Sequence, residues 1–156
     1  MNQSLTVTLP SDLEIKMTRE FDAPRALVFE VHTKCEHLKH WWGGKGNELD
    51  CDVDFRTGGH YRFVDRSPDG EEYAFRGEYR EIVAPEKIVQ TFEFEAMPGH
   101  VLVETLTFDE HDGKTTVTST SVFQSVEDRD GMLASGMEKG AAESYNQLAE
   151  YLATLS

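Results

Sequence analysis

Residues 125–155 read SVEDRDGMLASGMEKGAAESYNQLAEYLATL, and the fold follows from how this stretch is read. Leu133, Met137, Ala141, Ser144, Leu148 and Leu152 recur at spacings of three and four, which puts them on one face of a helix. Glu138, Lys139, Glu143, Asn146, Gln147 and Glu150 take the other face. Ser125 followed by Asp128 has the pattern of a capping box, and Glu127, Asp128 and Asp130 sit where the helix dipole favours negative charge. The expectation is one long helix from Ser125 to about Leu155, roughly 45 Å at about 1.5 Å per residue. Gly131, Gly136 and Gly140 lie inside it, each costing roughly 1 kcal/mol relative to alanine. Either a sheet comes close to the helix there, or the small residues leave space on its inner face for a ligand.

Upstream of the helix, six segments alternate with period two between turn signals. Leu49, Cys51, Val53 and Phe55 share one face, against Glu48, Asp50, Asp52 and Asp54. Tyr61 and Phe63 follow a break at Thr57, Gly58 and Gly59; Tyr73, Phe75, Gly77 and Tyr79 follow a turn at Asp69 and Gly70. Ile88, Gln90, Phe92 and Phe94 continue the inner series beyond Pro85, and Val101 to Glu110 forms a hairpin with Lys114 to Phe123 about Asp112 and Gly113. Leu13 to Phe21 alternates in the same way. Between it and the later strands lie two short helices, one opened by Asp22 and Pro24, the other over Cys35 to Trp41. Strands with one apolar face need a cover, and the terminal helix is the one amphipathic element long enough to supply it. The expected class is α+β: a curved seven-stranded antiparallel sheet wrapped around a long C-terminal helix, with a pocket between them that the short helices close.

Bulk properties narrow the function. A chain of 156 residues is expected to form one domain, 1–156, with its core from about residue 13 to 155. Hydrophobic content of 38% with 28% charged residues is globular composition, and no apolar run approaches the roughly 20 residues of a membrane span. A net charge of -14 repels phosphate backbones, and no lysine or arginine cluster makes a basic patch, so nucleic acid is not an expected partner. Met1 to Pro10 carry no signal-peptide core, which makes the cytoplasm the expected location; Cys35 and Cys51 are read as reduced core thiols.

Thr18 to Arg25, then His37, Leu38, Trp41, Trp42 and Gly43, then Asp54 to Gly59 with Tyr61, Arg62 and Phe63 resemble the SRPBCC superfamily. Within it they resemble the branch related to the activator of the heat-shock chaperone ATPase, the Aha-type domains. Gly77, Tyr79, Ile82, Pro85, Gly136, Met137, Glu138, Gly140, Ser144 and Leu148 extend the resemblance over about residues 13–155. It implies a helix-grip, START-like fold with a hydrophobic cavity under the long helix. It implies no single function, since such relatives include lipid carriers, hormone receptors, polyketide cyclases and chaperone activators. The chain departs from the pattern at Ala141, where relatives often carry tryptophan after the glycine matching Gly140; the smaller residue implies a larger cavity or a shifted floor.

No Gly-x-Ser-x-Gly nucleophile motif or phosphate-cradling glycine loop occurs, so no catalytic residue and no cofactor is assigned. His37 and His40 are read as surface or capping residues rather than zinc ligands, for want of a third ligand, and Asp50, Asp52 and Asp54 as a solvated face. The candidate ligand-binding residues are Trp41 and Trp42 at the pocket mouth, the inward-facing Phe55, Tyr61, Phe63, Phe75, Tyr79 and Phe92, Ser119 on the last strand, and Met137 and Ala141 on the helix. One tryptophan is read as sealing the helical layer, and the other is left open between that role and covering a ligand. The expected function is non-enzymatic binding of a small, largely hydrophobic molecule between sheet and helix, by a monomer or homodimer. One alternative is a chaperone-associated protein-interaction module that uses the acidic surface. The other is a cyclase-like enzyme in which one acid and one base project into the cavity, for example Arg62 or Glu104 if strand parity differs.

Overall fold

The alternating segments beyond residue 48 pair in chain order as an antiparallel meander: β3 (Glu48–Val53), β4 (His60–Arg66), β5 (Glu72–Val83), β6 (Lys87–Phe94), β7 (Leu102–His111) and β8 (Lys114–Val122). The structure is a computed structural model describing residues 4–155; the part of the N-terminal reading that falls on residues 1–3 lies outside the described residues. β2 (Glu14–Phe21) pairs with β8, and β1 (Thr6–Thr8) pairs with β2, giving the order β1-β2-β8-β7-β6-β5-β4-β3. The sheet thus has eight strands, not seven, because three residues are too few for a period-two pattern to register. α1 (Arg25–Val31) and α2 (Cys35–Leu38) follow β2 as expected.

On the inner face, Ile15, Met17, Arg19 and Phe21 of β2 stand opposite Ser121, Ser119, Val117 and Thr115 of β8, and all eight are buried. Apolar packing falls into two clusters. The larger joins Phe21, Val28, Trp41, Tyr61, Phe108 and Leu148 with their neighbours, and the smaller joins Ile15, Met17, Leu102 and Phe123.

The C-terminal segment is two helices, not one. α3 (Val126–Ala134) stops where Ser135 N–H donates to the Gly131 and Met132 carbonyls, and Gly136, at φ +86°, turns the chain before α4 (Met137–Leu155). A left-handed residue cannot continue a right-handed helix, and glycine adopts it without a Cβ clash. The 19 residues of α4 therefore span about 28 Å, not the full expected length. The start is marked as expected: Ser125 Oγ accepts from Asp128 N–H at 3.1 Å. The Asp128 carboxylate does not complete the box; it lies 2.8 Å from His100 Nδ1. Tyr145, Leu148 and Leu152 are the buried residues of α4, so its inner face includes Tyr145, which the helical spacing passed over.

The glycines of this segment are also corrected. Gly131, Gly136 and Gly140 are exposed, and no atom lies within 4 Å of the position a Cβ would take. Neither a close sheet nor ligand space on the inner face accounts for them. Gly140→Ala should consequently raise stability by about 0.5–1 kcal/mol, seen as a higher urea midpoint at unchanged slope, since alanine orders at less entropic cost in a helix.

Cys35 of α2 and Cys51 of β3 form a disulfide, with S–S 2.13 Å and Cα–Cα 5.7 Å, which overturns the reading of reduced thiols. The two lie 16 residues apart in a spacing that carries no pairing signal; the docking of α2 on β3 brings them together. The cysteines thus give no support to a cytoplasmic location.

Gly77 marks a tight point of the sheet. The Tyr61 ring lies across it, the Tyr61 hydroxyl donates to the Thr91 carbonyl at 2.5 Å, and Thr91 Oγ1 accepts from Glu78 N–H at 2.8 Å. Just beyond, the pairing of β5 with β6 shifts register between Tyr79 and Glu81. An interruption of this kind bends a strand and deepens the concave side.

Candidate functional site

Between the two apolar clusters the inner face carries a polar seam. β7 places Leu102, Leu106 and Phe108 inward, and period two carries Glu104 with them. Gln90 stands directly opposite on β6 and donates through Nε2 to Glu104 Oε1 at 2.9 Å; Ser119 Oγ donates to Glu104 Oε2 at 2.6 Å. Burial pushes the Glu104 carboxyl above its ordinary pKa, while the two hydrogen bonds pull it back. Yet Glu104 keeps part of its surface accessible, as do the inward-facing Gln90, Phe92 and Ala141. Glu104 is thus deep enough for burial to govern its ionisation while part of the residue stays accessible.

The sequence-predicted site residues divide around this seam. Trp41 is the sealing tryptophan: 4% exposed, it donates through Nε1 to the Val31 carbonyl at 3.0 Å and stacks on Tyr145, ring centres 6.2 Å apart. Phe55, Tyr61, Phe63 and Tyr79 pack in the larger cluster, where burial raises the phenol pKa of both tyrosines. Trp42, Phe75 and Phe92 are half-buried and form a ladder. Trp42 lies 4.8 Å from Phe63 and 5.3 Å from Phe75, and Phe75 stacks on Phe92 at 5.2 Å. Phe92 touches both clusters, Met137 and Ala141 pack on the smaller, and Ser119 lies in the seam. An aromatic ladder thus leads to a polar seam beneath the first turns of α4.

Across the seam stand two further polar groups that the spacing arguments did not single out. Arg19, on the inner face of β2, is 5% exposed, donates through Nη1 to Asn146 Oδ1 at 2.7 Å and lies over the Phe21 ring at 5.3 Å. Tyr145 meets the same Phe21 ring edge-on at 5.7 Å; burial raises its phenol pKa, with Glu104 adding to the rise and Arg19 opposing it. Parity would have found Arg19 and Glu104, since each sits two residues from a buried apolar neighbour on its strand.

Other candidates fall away from the interior. Arg62 is exposed and forms a two-pronged pair with Glu95, at 2.7 and 3.0 Å. Tyr73 is 42% exposed and its hydroxyl donates to Glu71, which corrects its place in the inward series. His37 Nδ1 lies 2.6 Å from the Tyr151 hydroxyl, and His40 stacks on the same ring. Among the described residues no three His, Cys, Asp or Glu side chains converge as a metal site, and no helix is long and apolar enough to cross a membrane. Two hollows open outside the grip. One lies by Glu48, Arg66 and Pro68, and the other, about 360 Å³, on the outer side of the sheet over Gly77 between Arg62, Arg76 and Glu78.

Residues 22–153 match the family model described as Activator of Hsp90 ATPase homolog 1-like protein. The fold is shared with a crystal structure of a Rhodobacter sphaeroides protein, at TM-score 0.91 and 22% identity over 97% of this chain and 99% of that one. A Mycobacterium smegmatis protein of known crystal structure is similar at TM-score 0.86 and 29% identity, covering 95% of this chain and 96% of the other. A Staphylococcus epidermidis protein solved by NMR is similar at TM-score 0.82 and 29% identity, covering 97% and 95%. Comparison with curated proteins finds no match.

Proposed function

The chain belongs to the activator of Hsp90 ATPase homolog 1-like family, and from that premise we propose that it binds a small, largely apolar molecule between the sheet and α4. The body of the molecule lies along Phe92, Phe75 and Trp42, and its polar group meets the seam of Gln90, Glu104 and Ser119. The observation that carries this reading is Glu104. Packing alone calls for an apolar side chain between Leu102 and Leu106, and a buried carboxyl is costly even when hydrogen-bonded. A carboxyl retained there, with surface still accessible, supports a polar task.

Protein contact through the acidic outer face is the weaker reading. Arg66 already bridges Asp50 and Glu72, both at 2.7 Å, so part of that charge is neutralised within the chain.

The test uses decanol, a neutral amphiphile, titrated calorimetrically into the full chain and into Ala141→Trp. Ala141 is half-buried against the smaller cluster, and an indole there fills the space beside the seam. Wild type should bind and release on dilution, and the variant should lose at least about tenfold in affinity while melting within a few degrees of wild type. Equal affinities in the two proteins would sink the interior site.

A further inference from the structure

We propose that Arg19 is an anion anchor and that the molecule held between the sheet and α4 is an organic carboxylate. The inference rests on the ligand-binding reading above and names the class of ligand.

The chain carries 29 acidic against 15 basic residues, so a partner for any cation is easily found. The seven other arginines each lie within 4.0 Å of a carboxylate. Arg19, the buried one, does not: its side chain meets the neutral Asn146 amide and the Phe21 ring, and its buried Nε has no hydrogen-bond partner among the described residues. A guanidinium brings five N–H donors and a charge that cannot be shed at neutral pH. With one neutral acceptor and Nε orphaned, the charge has no counterpart, which is costly unless an anion completes the site. Burial draws the Arg19 pKa down, the direction expected of a cation without an opposing charge.

The surroundings select the anion. Arg19 and Tyr145 converge on the same Phe21 ring, at 5.3 and 5.7 Å, so guanidinium and phenol stand on one side of the seam. A carboxylate takes two parallel hydrogen bonds from a guanidinium edge that includes Nε, and the phenol O–H supplies a third. Glu104 lies beyond Tyr145, near enough to raise its pKa. A singly charged head group suits a seam that already holds one carboxyl better than a phosphate dianion does. The apolar remainder then lies toward Phe92, continuous with the ladder.

The experiment compares decanoate with decanol on the full chain by calorimetry, and follows the Arg19 Nε–H resonance in isotope-labelled protein. Decanoate should bind at least about tenfold tighter than decanol and shift that resonance, because the charge-assisted pair forms on a guanidinium that is 5% exposed. In Arg19→Met the preference for the acid should fall to about one, and Arg19→Lys, which keeps the charge without the fork, should fall between. Should Arg19→Met fail to fold, the lysine variant and the wild-type resonance still decide. Decanol bound as tightly as decanoate would overturn the anion anchor and leave the binding site standing. Failure of both probes would overturn both.

Discussion

Gly77→Ala is expected to lower folding stability by about 3 kcal/mol or more, toward the upper end of what overpacking costs. A Cβ on Gly77 would press into the Thr91 carbonyl oxygen and stand 2.5 Å from the Tyr61 ring and hydroxyl. A side-chain end can rotate aside; a sheet carbonyl cannot, because β6 is held by β5 and β7 on either side. Displacing Tyr61 would also break its hydroxyl bond to Thr91 and leave a buried acceptor unpaired. Urea unfolding of the variant beside Gly140→Ala checks this, since the two substitutions share their chemistry and should have opposite signs. A loss below about 1 kcal/mol would mean that the sheet relaxes at Gly77 and that its bend is not set there.

The second large effect depends on pH. His32 sits between the rings of Trp41 and Phe108, at 4.9 and 5.1 Å, and its Nδ1–H donates to the Val28 carbonyl at 2.7 Å. Its buried Nε2 has no partner, so protonation would place a charge where nothing receives it; burial lowers the pKa from 6.5 to about 4. The unfolded chain therefore holds more protons than the folded one between those values, and stability falls as pH drops through that window. The contribution lost is about 3 kcal/mol, since each tenfold loss of proton affinity on folding is worth about 1.4 kcal/mol. His32→Phe keeps the ring contacts and gives up the Val28 hydrogen bond, at a cost of about 1 kcal/mol at pH 7. Its stability should then change less with acid than that of wild type, and the two curves should cross below about pH 6. Parallel curves from pH 7 to 4 would show that His32 takes up its proton freely in the fold.

Where side-chain period and chain direction suffice, the sequence was legible. Leu49, Cys51 and Val53, or Tyr61 and Phe63, declare strands because alternate residues must face one side, and Leu148 with Leu152 declares the helix face. Features set by distant contacts were not. Gly136 looks like any helical glycine until α3 and α4 must leave in different directions, and Cys35 meets Cys51 through the docking of a helix on a strand. Arg19 was missed for a different reason, and Glu104 was reached only as an alternative to the expected parity. Their charge suggests solvent while their register places them inside, and charge is the usual guide to exposure. Those two residues are the ones on which the proposed chemistry turns.

α3 buries no residue of its own and joins α4 through a single glycine turn. It is the piece that can fray while every strand stays paired, because it gives up only the half-buried contacts at Met132 and Leu133, the Asp128 pair with His100 and the Arg129 bond to the Ser11 carbonyl. A guest would pass beneath it, beside the smaller cluster, and the pace of that local opening, rather than the lifetime of the folded chain, would govern how quickly the interior exchanges its contents.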